Sequence, residues 1–549
     1  MSIRIKLLSA CLFFVLLSFI PTFYEYFSRN KIPPERYFVL EHNYNFDYNF
    51  YLSRIRQGIE GKRLVTEKYY NKPHNASLFQ AVYLYLGKIG GLAGLTPTAI
   101  YQLSRFIFGF LLLWTIILFG KLFFKDRNKL LLFFLLTVTA GSWPVLVRAG
   151  GFPRFATYMG WWSVIDSLQR ITIMPHILIG QMLMVLLITK LADVSRMTYK
   201  SAMIYGILGL SGGIIFPPML IILFTYLFVL TSFTGLDILS LRITFAEKIK
   251  KIREFIRSGA GKIIIFAAIS LPSLIYLQLG LREQPWKALG LFDIEHRFIM
   301  PYKDYALSLG PVLILGVLGL IRVFFKGEKD YQPAVIWLLS IGLLFVIFEN
   351  VPQQSPLRFT EGLVHVPLAV LATNFLYGGV KNRIIRRFIS GGVIITGFLV
   401  MVSMVLWLTD QAYAKRLGTW SVPLGAQLAY PQREFMEGIF YLRDNTREED
   451  VVLGYITAGN YIPAYAGNYV FLGHANTPDE DEKEVIAASF FKSVTGAEEA
   501  RKWLQEERIK YVFSGPQERE LGGIADLREK YNFLTEVYSN NQVVIYKII

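Results

Sequence analysis

Cysteine and charge are both scarce in this chain. One cysteine, Cys11, stands among 549 residues, which excludes an intrachain disulfide and leaves redox compartment unread. Charged residues make up only 18% against 53% hydrophobic, with a mean hydropathy of +0.40, too apolar a balance for an ordinary soluble protein of this length. Histidine occurs six times, without a His-x-x-x-His pair or an acidic pair at ligand spacing, so no metal is assigned by motif. Ionisable residues near the middle of apolar runs are almost absent and no internal repeat is evident, which removes the usual signature of a transporter.

What is present is basic and apolar. The net charge is +16, but residues 430–549 carry −7 and residues 1–429 carry +23. A basic excess confined to the apolar part fits loops facing anionic headgroups and excludes nucleic acid as the partner. Apolar runs long enough to approach the ~20 residues of a membrane helix fall near 6–26, 102–124, 130–147, 173–192, 202–216, 218–234, 262–280, 308–325, 333–349, 361–378 and 388–408, about eleven in all. Basic segments at 121–129, 190–200, 242–262, 322–329 and 381–387 alternate with polar ones, which predicts a cytoplasmic N-terminus and an extracytoplasmic C-terminal region of an inner-membrane protein. Leu8-Ser-Ala-Cys11 resembles a lipidation box, but the apolar run continues through Phe13–Ile20, so the segment reads as an uncleaved first span. Ser211-Gly-Gly-Ile-Ile-Phe-Pro-Pro218 breaks 202–234 into two helices of a hairpin, either for tight packing or as a lining of a substrate path.

The fold expected is therefore a mainly α-helical polytopic membrane domain over 1–409, with a first outer loop at 28–100 carrying interfacial helices, followed by an α/β domain over 410–549. In that second region strands are expected at 451–456, 469–472, 511–514 and 542–547, and helices at 433–443, 480–491, 497–508 and 519–530.

Chemistry is most concentrated in the polar run His42-Asn-Tyr-Asn-Phe-Asp-Tyr-Asn-Phe-Tyr-Leu-Ser-Arg-Ile-Arg-Gln-Gly58. Ionisable groups at a bilayer edge are costly unless solvated, paired or used. Asp47 is the leading candidate there, with Tyr48 and its neighbouring tyrosines as sugar contacts or as an interfacial aromatic belt. Other outward positions are Asp166, Arg170 and the Met174-Pro-His176 start of a span, Arg105, and the run from Glu349 to Glu361 containing Arg358. The Gly473-His474-Ala-Asn-Thr477 segment reads as a surface turn.

Phe46-Asp-Tyr-Asn-Phe-Tyr-Leu-Ser-Arg-Ile-Arg-Gln-Gly58 in a long first outer loop, behind a cytoplasmic-start helix and ahead of many spans, resembles the GT-C superfamily of polytopic glycosyltransferases. Within it the chain is similar to bacterial relatives of protein mannosyltransferases and lipopolysaccharide-modifying sugar transferases. The resemblance implies transfer from a polyprenyl-phosphate sugar donor to a glycan, lipid or protein acceptor at the outer face, with Asp47 at the catalytic centre and Asp166 as the assisting acid. Some branches open this loop with a pair of acids; here the nearest partner is Glu41, six residues before Asp47, and a divalent metal is left open, with no other cofactor implied.

The same assignment follows from bond chemistry. An acceptor hydroxyl must lose its proton as it attacks the anomeric carbon, which a carboxylate can accept. The departing lipid phosphate gains charge that guanidinium groups stabilise bidentately. Arg358 is the first candidate, ahead of Arg105 and Arg170, with His176 and Glu361 beside the same face. The acceptor of an inverting hexosyl or pentosyl transfer is one reading; a flippase of a lipid-linked glycan and a non-catalytic envelope assembly protein are the alternatives.

Overall fold

The computed structural model describes residues 3–241, 243–255, 259–418, 429–523 and 526–549. Two compact units are present, one of Met1–Ile20, Ser104–Gln278 and His296–Trp407, the other of Pro21–Leu103, Leu279–Glu295 and Leu408–Ile549.

Among the described residues seven helices are long and apolar enough to cross a membrane: Arg4–Phe27, Pro97–Gly120, Pro217–Ser240, Gly261–Gly280, Tyr302–Lys326, Lys329–Phe348 and Arg383–Leu417. An eighth is formed if Pro356–Gly362 and His365–Gly378, bent by 52°, count as one span. The chain is an integral membrane protein. Other expected spans form shorter helices for identifiable reasons. The run at 130–147 is helical only over Arg127–Thr139 before Gly141 and Pro144, then enters strand β1 (Val145–Ala149), which pairs antiparallel with β2 (Phe152–Ala156). The segment at 173–192 is the 17-residue helix Pro175–Leu191. Of the basic segment 242–262, Arg242 and residues 256–258 lie outside the described residues.

The break expected within 202–234 is present. Helix Tyr199–Ile215 ends at Phe216, and Pro217, with no N–H to lose, starts the next helix. The glycines before it serve packing: a Cβ on Gly212 would collide with the Met219 side chain and one on Gly213 with Ser273 Oγ. This supports the tight-packing reading of the sequence over a substrate path.

In the other unit a five-stranded sheet runs in the order β4-β3-β5-β7-β6, with β3 at Val451–Leu453, β4 at Tyr469–Val470, β5 at Ile509–Ser514, β6 at Leu534–Ser539 and β7 at Val544–Ile548. β3 is parallel to both β4 and β5, whereas β7 is antiparallel to β5 and β6. The alternation of strand and helix explains the parallel part, since a parallel neighbour needs a crossover, and the close spacing of β6 and β7 explains the hairpin. Phe471, Leu472, Phe490, Phe491, Leu504, Val512, Tyr531 and Tyr546 form the core beneath it. Strand β6 was not among the expected strands. The helix expected at 519–530 is instead Pro516–Gly522 and a 3₁₀ turn at Leu527–Glu529, with Gly522 and Gly523 ending the first; residues 524 and 525 lie outside the described residues.

The first-loop segment joins this same unit. Helix Asn45–Ile59 crosses Ala81–Leu92 so closely that Gly58 lies on the Leu84 carbonyl and Gly87 on the Ile55 carbonyl, where any Cβ would clash. Eleven of its fifteen residues are buried, including Tyr48, Asn49, Ser53, Arg54 and Gln57. A helix enclosed on almost every face, polar residues included, differs from the amphipathic interfacial helix its sequence suggests, and Tyr48, Asn49, Arg54 and Gln57 bond to protein partners.

Candidate active site

Asp47 lies in the first turn of helix Asn45–Ile59, where a carboxylate is favoured by the unpaired N–H groups of the helix start. Its side chain is 45% exposed on a helix that is mostly enclosed. Directly behind it is His474. The ring of His474 is 3% exposed and its Nε2 stands 3.6 Å from Asp47 Oδ1. The sequence reading of His474 as a surface turn residue is corrected by this burial. Aromatic contacts hold the ring: Phe50, one turn along from Asp47, stacks on it at 4.4 Å with an interplanar angle of 19°, and Tyr69 leans on it at 5.3 Å.

The other face of Phe50 carries the Arg54 guanidinium at 3.3 Å. Arg54 is paired in turn with Glu67 at 2.6 Å, both buried. The second polar anchor is Asn460, in helix Ile456–Tyr465. Its Oδ1 accepts from Asn49 Nδ2 at 2.8 Å, and its own Nδ2 donates to the carbonyls of Phe46 and Gly473. One side chain thus ties the turn holding Asp47 to the loop holding His474. Gly459 and Gly473 make the approach feasible, since a Cβ on either would strike the backbone of the opposite segment, and Gly473 has φ of 154°.

Glu41 is not an exposed companion of Asp47. It is buried in a network in which Lys415 Nζ contacts Glu41 Oε2 at 2.7 Å and Glu25 Oε1 at 3.2 Å, while Tyr461 donates to Glu41 and Tyr430 to Glu25. Burial pushes the Glu41 carboxyl above its ordinary range, and Lys415 opposes that. Two acids and one lysine form a structural cluster there.

Tyr48 is 1% exposed, donates to Thr98 Oγ1 at 3.2 Å and packs edge-on against Tyr101 at 5.0 Å. Its enclosure places it in the core, away from any sugar. Tyr44 is the outward tyrosine of this turn, 45% exposed and stacked on Phe46; burial first, then the Asp47 and Glu480 carboxylates, raise its hydroxyl pKa.

The membrane unit holds the remaining candidates. Asp166 is 6% exposed and accepts from the N–H groups of Leu168 at 3.0 Å and Gln169 at 2.8 Å, closing its own turn. Desolvation nevertheless raises its pKa, with the two backbone bonds and Arg170 opposing. Arg170 donates to the carbonyls of Thr137, Val138 and Ala140 at 3.0, 3.1 and 2.5 Å. These are the unpaired carbonyls ending helix Arg127–Thr139, so Arg170 is the cap of a helix C-terminus, where a cation is favoured. Burial lowers its pKa to about 10, which leaves it charged. Arg105 is likewise turned inward, donating to the Thr172 carbonyl at 2.7 Å and lying over Phe19. His176 sits at the start of helix Pro175–Leu191 with its ring against Phe216.

Arg358 differs from these two arginines. Its side chain is 37% exposed, 3.9 Å from Glu361 and over the Trp162 ring at 5.9 Å. Glu361 is buried, and its backbone carbonyl accepts from Gln181. Trp162 donates to Thr360 at 2.9 Å, joining the loop of Asp166 to the turn of Arg358. The structure therefore brings Arg358, Glu361 and Trp162 together, while Arg105 and Arg170 are committed to backbone carbonyls. Among the described residues no three His, Cys, Asp or Glu side chains converge as a metal-binding group.

The fold, with its apolar spans and sheet-containing region, is of the GT-C type, as the sequence resemblance implies. The chain is similar in fold to several solved structures. The archaeal oligosaccharyltransferase AglB from Archaeoglobus fulgidus, in complex with an inhibitory peptide and a dolichol-phosphate, aligns over 100% of this chain and 74% of its own with a TM-score of 0.50 at 14% identity. Arabinofuranosyltransferase AftD from Mycobacteria aligns over 100% of this chain and 41% of its own with a TM-score of 0.51 at 13% identity. ArnT from Cupriavidus metallidurans, bound to undecaprenyl phosphate, aligns over 99% and 97% at a TM-score of 0.49 and 11% identity. No family model matches the chain, and no curated protein matches it in sequence.

Proposed function

We propose that this protein is a membrane glycosyltransferase that moves a sugar from a polyprenyl-phosphate carrier to an acceptor hydroxyl at the extracytoplasmic face, with Asp47 as the base. The observation that carries the reading is the Asp47 carboxylate itself: it is open to solvent on one side while the helix beneath it is fixed by buried hydrogen bonds and ring stacking. A base must be both reachable and held in place. The dolichol-phosphate seen in AglB supports a lipid-phosphate donor for a chain of this fold.

In the proposed reaction the acceptor oxygen forms the new bond to the anomeric carbon as its proton passes to Asp47. The bond from that carbon to the phosphate oxygen breaks, and the electron pair leaves with the lipid phosphate. A single direct displacement inverts the anomeric centre. Arg358, the outward-facing guanidinium among the three arginine candidates, is proposed as a contact for lipid phosphate. Asp166, already accepting two backbone N–H groups, is proposed to shape its loop.

The test is purified protein in lipid, supplied with a panel of polyprenyl-phosphate hexoses and pentoses, comparing wild type with Asp47→Asn. Transfer by the wild type with at least a ~100-fold lower rate in the variant is expected. Equal rates would remove Asp47 from the mechanism, and no transfer from any donor would sink the enzyme reading. A tag at the C-terminus reachable by protease from outside tests the orientation.

A further inference from the structure

The C-terminal sheet region contains no evident catalytic set in its sequence, yet it delivers one ring to Asp47. His474 follows β4 and is buried, with Phe50 stacked on it and Tyr69 tilted against it. Its Nδ1 lies 3.0 Å from the Asn476 backbone nitrogen, which donates to it. A nitrogen that accepts a hydrogen bond carries no proton, so the neutral ring has its proton on Nε2. Turning the ring over would leave the Asn476 N–H facing carbon. Nε2 is buried without a hydrogen-bond partner among the described residues, and the charged group in front of it is Asp47, at 3.6 Å.

A buried N–H donor left without a partner is costly. A small movement of the exposed Asp47 side chain supplies one. We infer that His474 is a positioning residue for Asp47: its Nε2–H holds one carboxylate oxygen so that the other is presented to the acceptor hydroxyl. The C-terminal region is thereby a part of the active site. The Phe50 stack fixes the ring plane, the Asn476 N–H fixes the tautomer, and the Asn460 bond to the Gly473 carbonyl fixes the loop. This inference rests on the proposed role of Asp47, but the contact itself is measurable without turnover.

The direct measurement is nitrogen NMR of ¹⁵N-histidine-labelled full-length protein in lipid nanodiscs, with six histidines to resolve and His474→Gln to identify the signals. A ring protonated on Nε2 at alkaline pH, with an Nε2 resonance that moves in Asp47→Asn, is expected. A ring protonated on Nδ1, or a resonance indifferent to Asp47→Asn, overturns the inference. In the transfer assay, His474→Phe keeps a ring for the Phe50 stack but has no N–H. It should lower kcat about 10- to 100-fold at unchanged donor KM, the scale expected for a misplaced catalytic group. His474→Gln, whose amide N–H reaches a similar point, should recover most of the rate, and His474→Phe combined with Asp47→Asn should be no slower than Asp47→Asn alone. Loss of transfer in Asp47→Asn with a wild-type rate in His474→Phe defeats the positioning role and leaves the proposed function standing. Undiminished transfer in Asp47→Asn defeats the proposed function instead.

Discussion

Asn49 donates its Nδ2 to the Oδ1 of Asn460 at 2.8 Å, with both amides fully buried. Because Asn460 also serves the Phe46 and Gly473 carbonyls, its replacement by Ala orphans several groups together. A loss of about 1–3 kcal/mol is expected, read from thermal unfolding in detergent. Asn49→Ala combined with Asn460→Ala should show a coupling of about 0.5–3 kcal/mol; strict additivity would mean that the two amides do not cooperate.

Lys415 neutralises two largely enclosed acids, Glu25 and Glu41. Replacing it with Met strands both carboxylates and should destabilise the protein by about 3–5 kcal/mol. Adding Glu41→Gln removes one stranded charge, so the double variant should unfold at a higher temperature than Lys415→Met alone. The opposite order would show that the lysine is not holding the cluster together.

Glu518 is buried, and burial raises its pKa from 4.5 to about 7, against opposition from the N–H groups of Tyr455 and Gly515. A raised folded-state pKa means that the folded chain binds the extra proton. The resulting stability is present below the unfolded value and is lost as pH rises through about 7. On the order of 3 kcal/mol should disappear across that window. Glu518→Gln places an amide nitrogen against a backbone N–H and lowers overall stability, but its unfolding temperature should vary less between those pH values than that of the wild type.

Arg170 caps a helix, whereas Arg358 is the guanidinium proposed to contact phosphate. Arg170→Met removes the cap on three carbonyls and should reduce folded yield and unfolding temperature. Arg358→Met alters a part-exposed side chain. It should shift stability by no more than about 0.5 kcal/mol while weakening transfer. A strongly destabilised Arg358→Met that still transfers sugar would reverse these assignments.

Apolar runs made the spans readable, since hydropathy integrates over twenty residues and tolerates local detail. Gly212, Gly213, Pro217 and Pro218 marked a true break because helix breakers act through the local backbone. Position along the chain ranked Arg358 ahead of Arg170 without revealing that Arg170 caps a helix: whether a guanidinium faces outward or caps a helix depends on which carbonyls arrive beside it. His474 was hidden for a related reason. Its partners, Asp47 and Phe50, are more than four hundred positions away in the sequence, and a turn-like Gly-His segment carries no sign of what will cover it. Tyr48 was misplaced because an aromatic near a bilayer edge looks the same in sequence whether it faces the sugar or the Thr98 hydroxyl.

The enclosure of helix Asn45–Ile59 has a consequence for how the protein is made. Asn49, Phe50 and Tyr69 find their partners in Asn460 and His474, which a ribosome reaches only after every membrane helix has been synthesised. Until that stretch has emerged, the Asn49 amide and the Tyr69 hydroxyl of the early loop lack Asn460 to bond. A nascent or truncated chain therefore holds its aspartate on an unfinished scaffold, and ordering of the aspartate-bearing turn is deferred until synthesis has passed the sheet region.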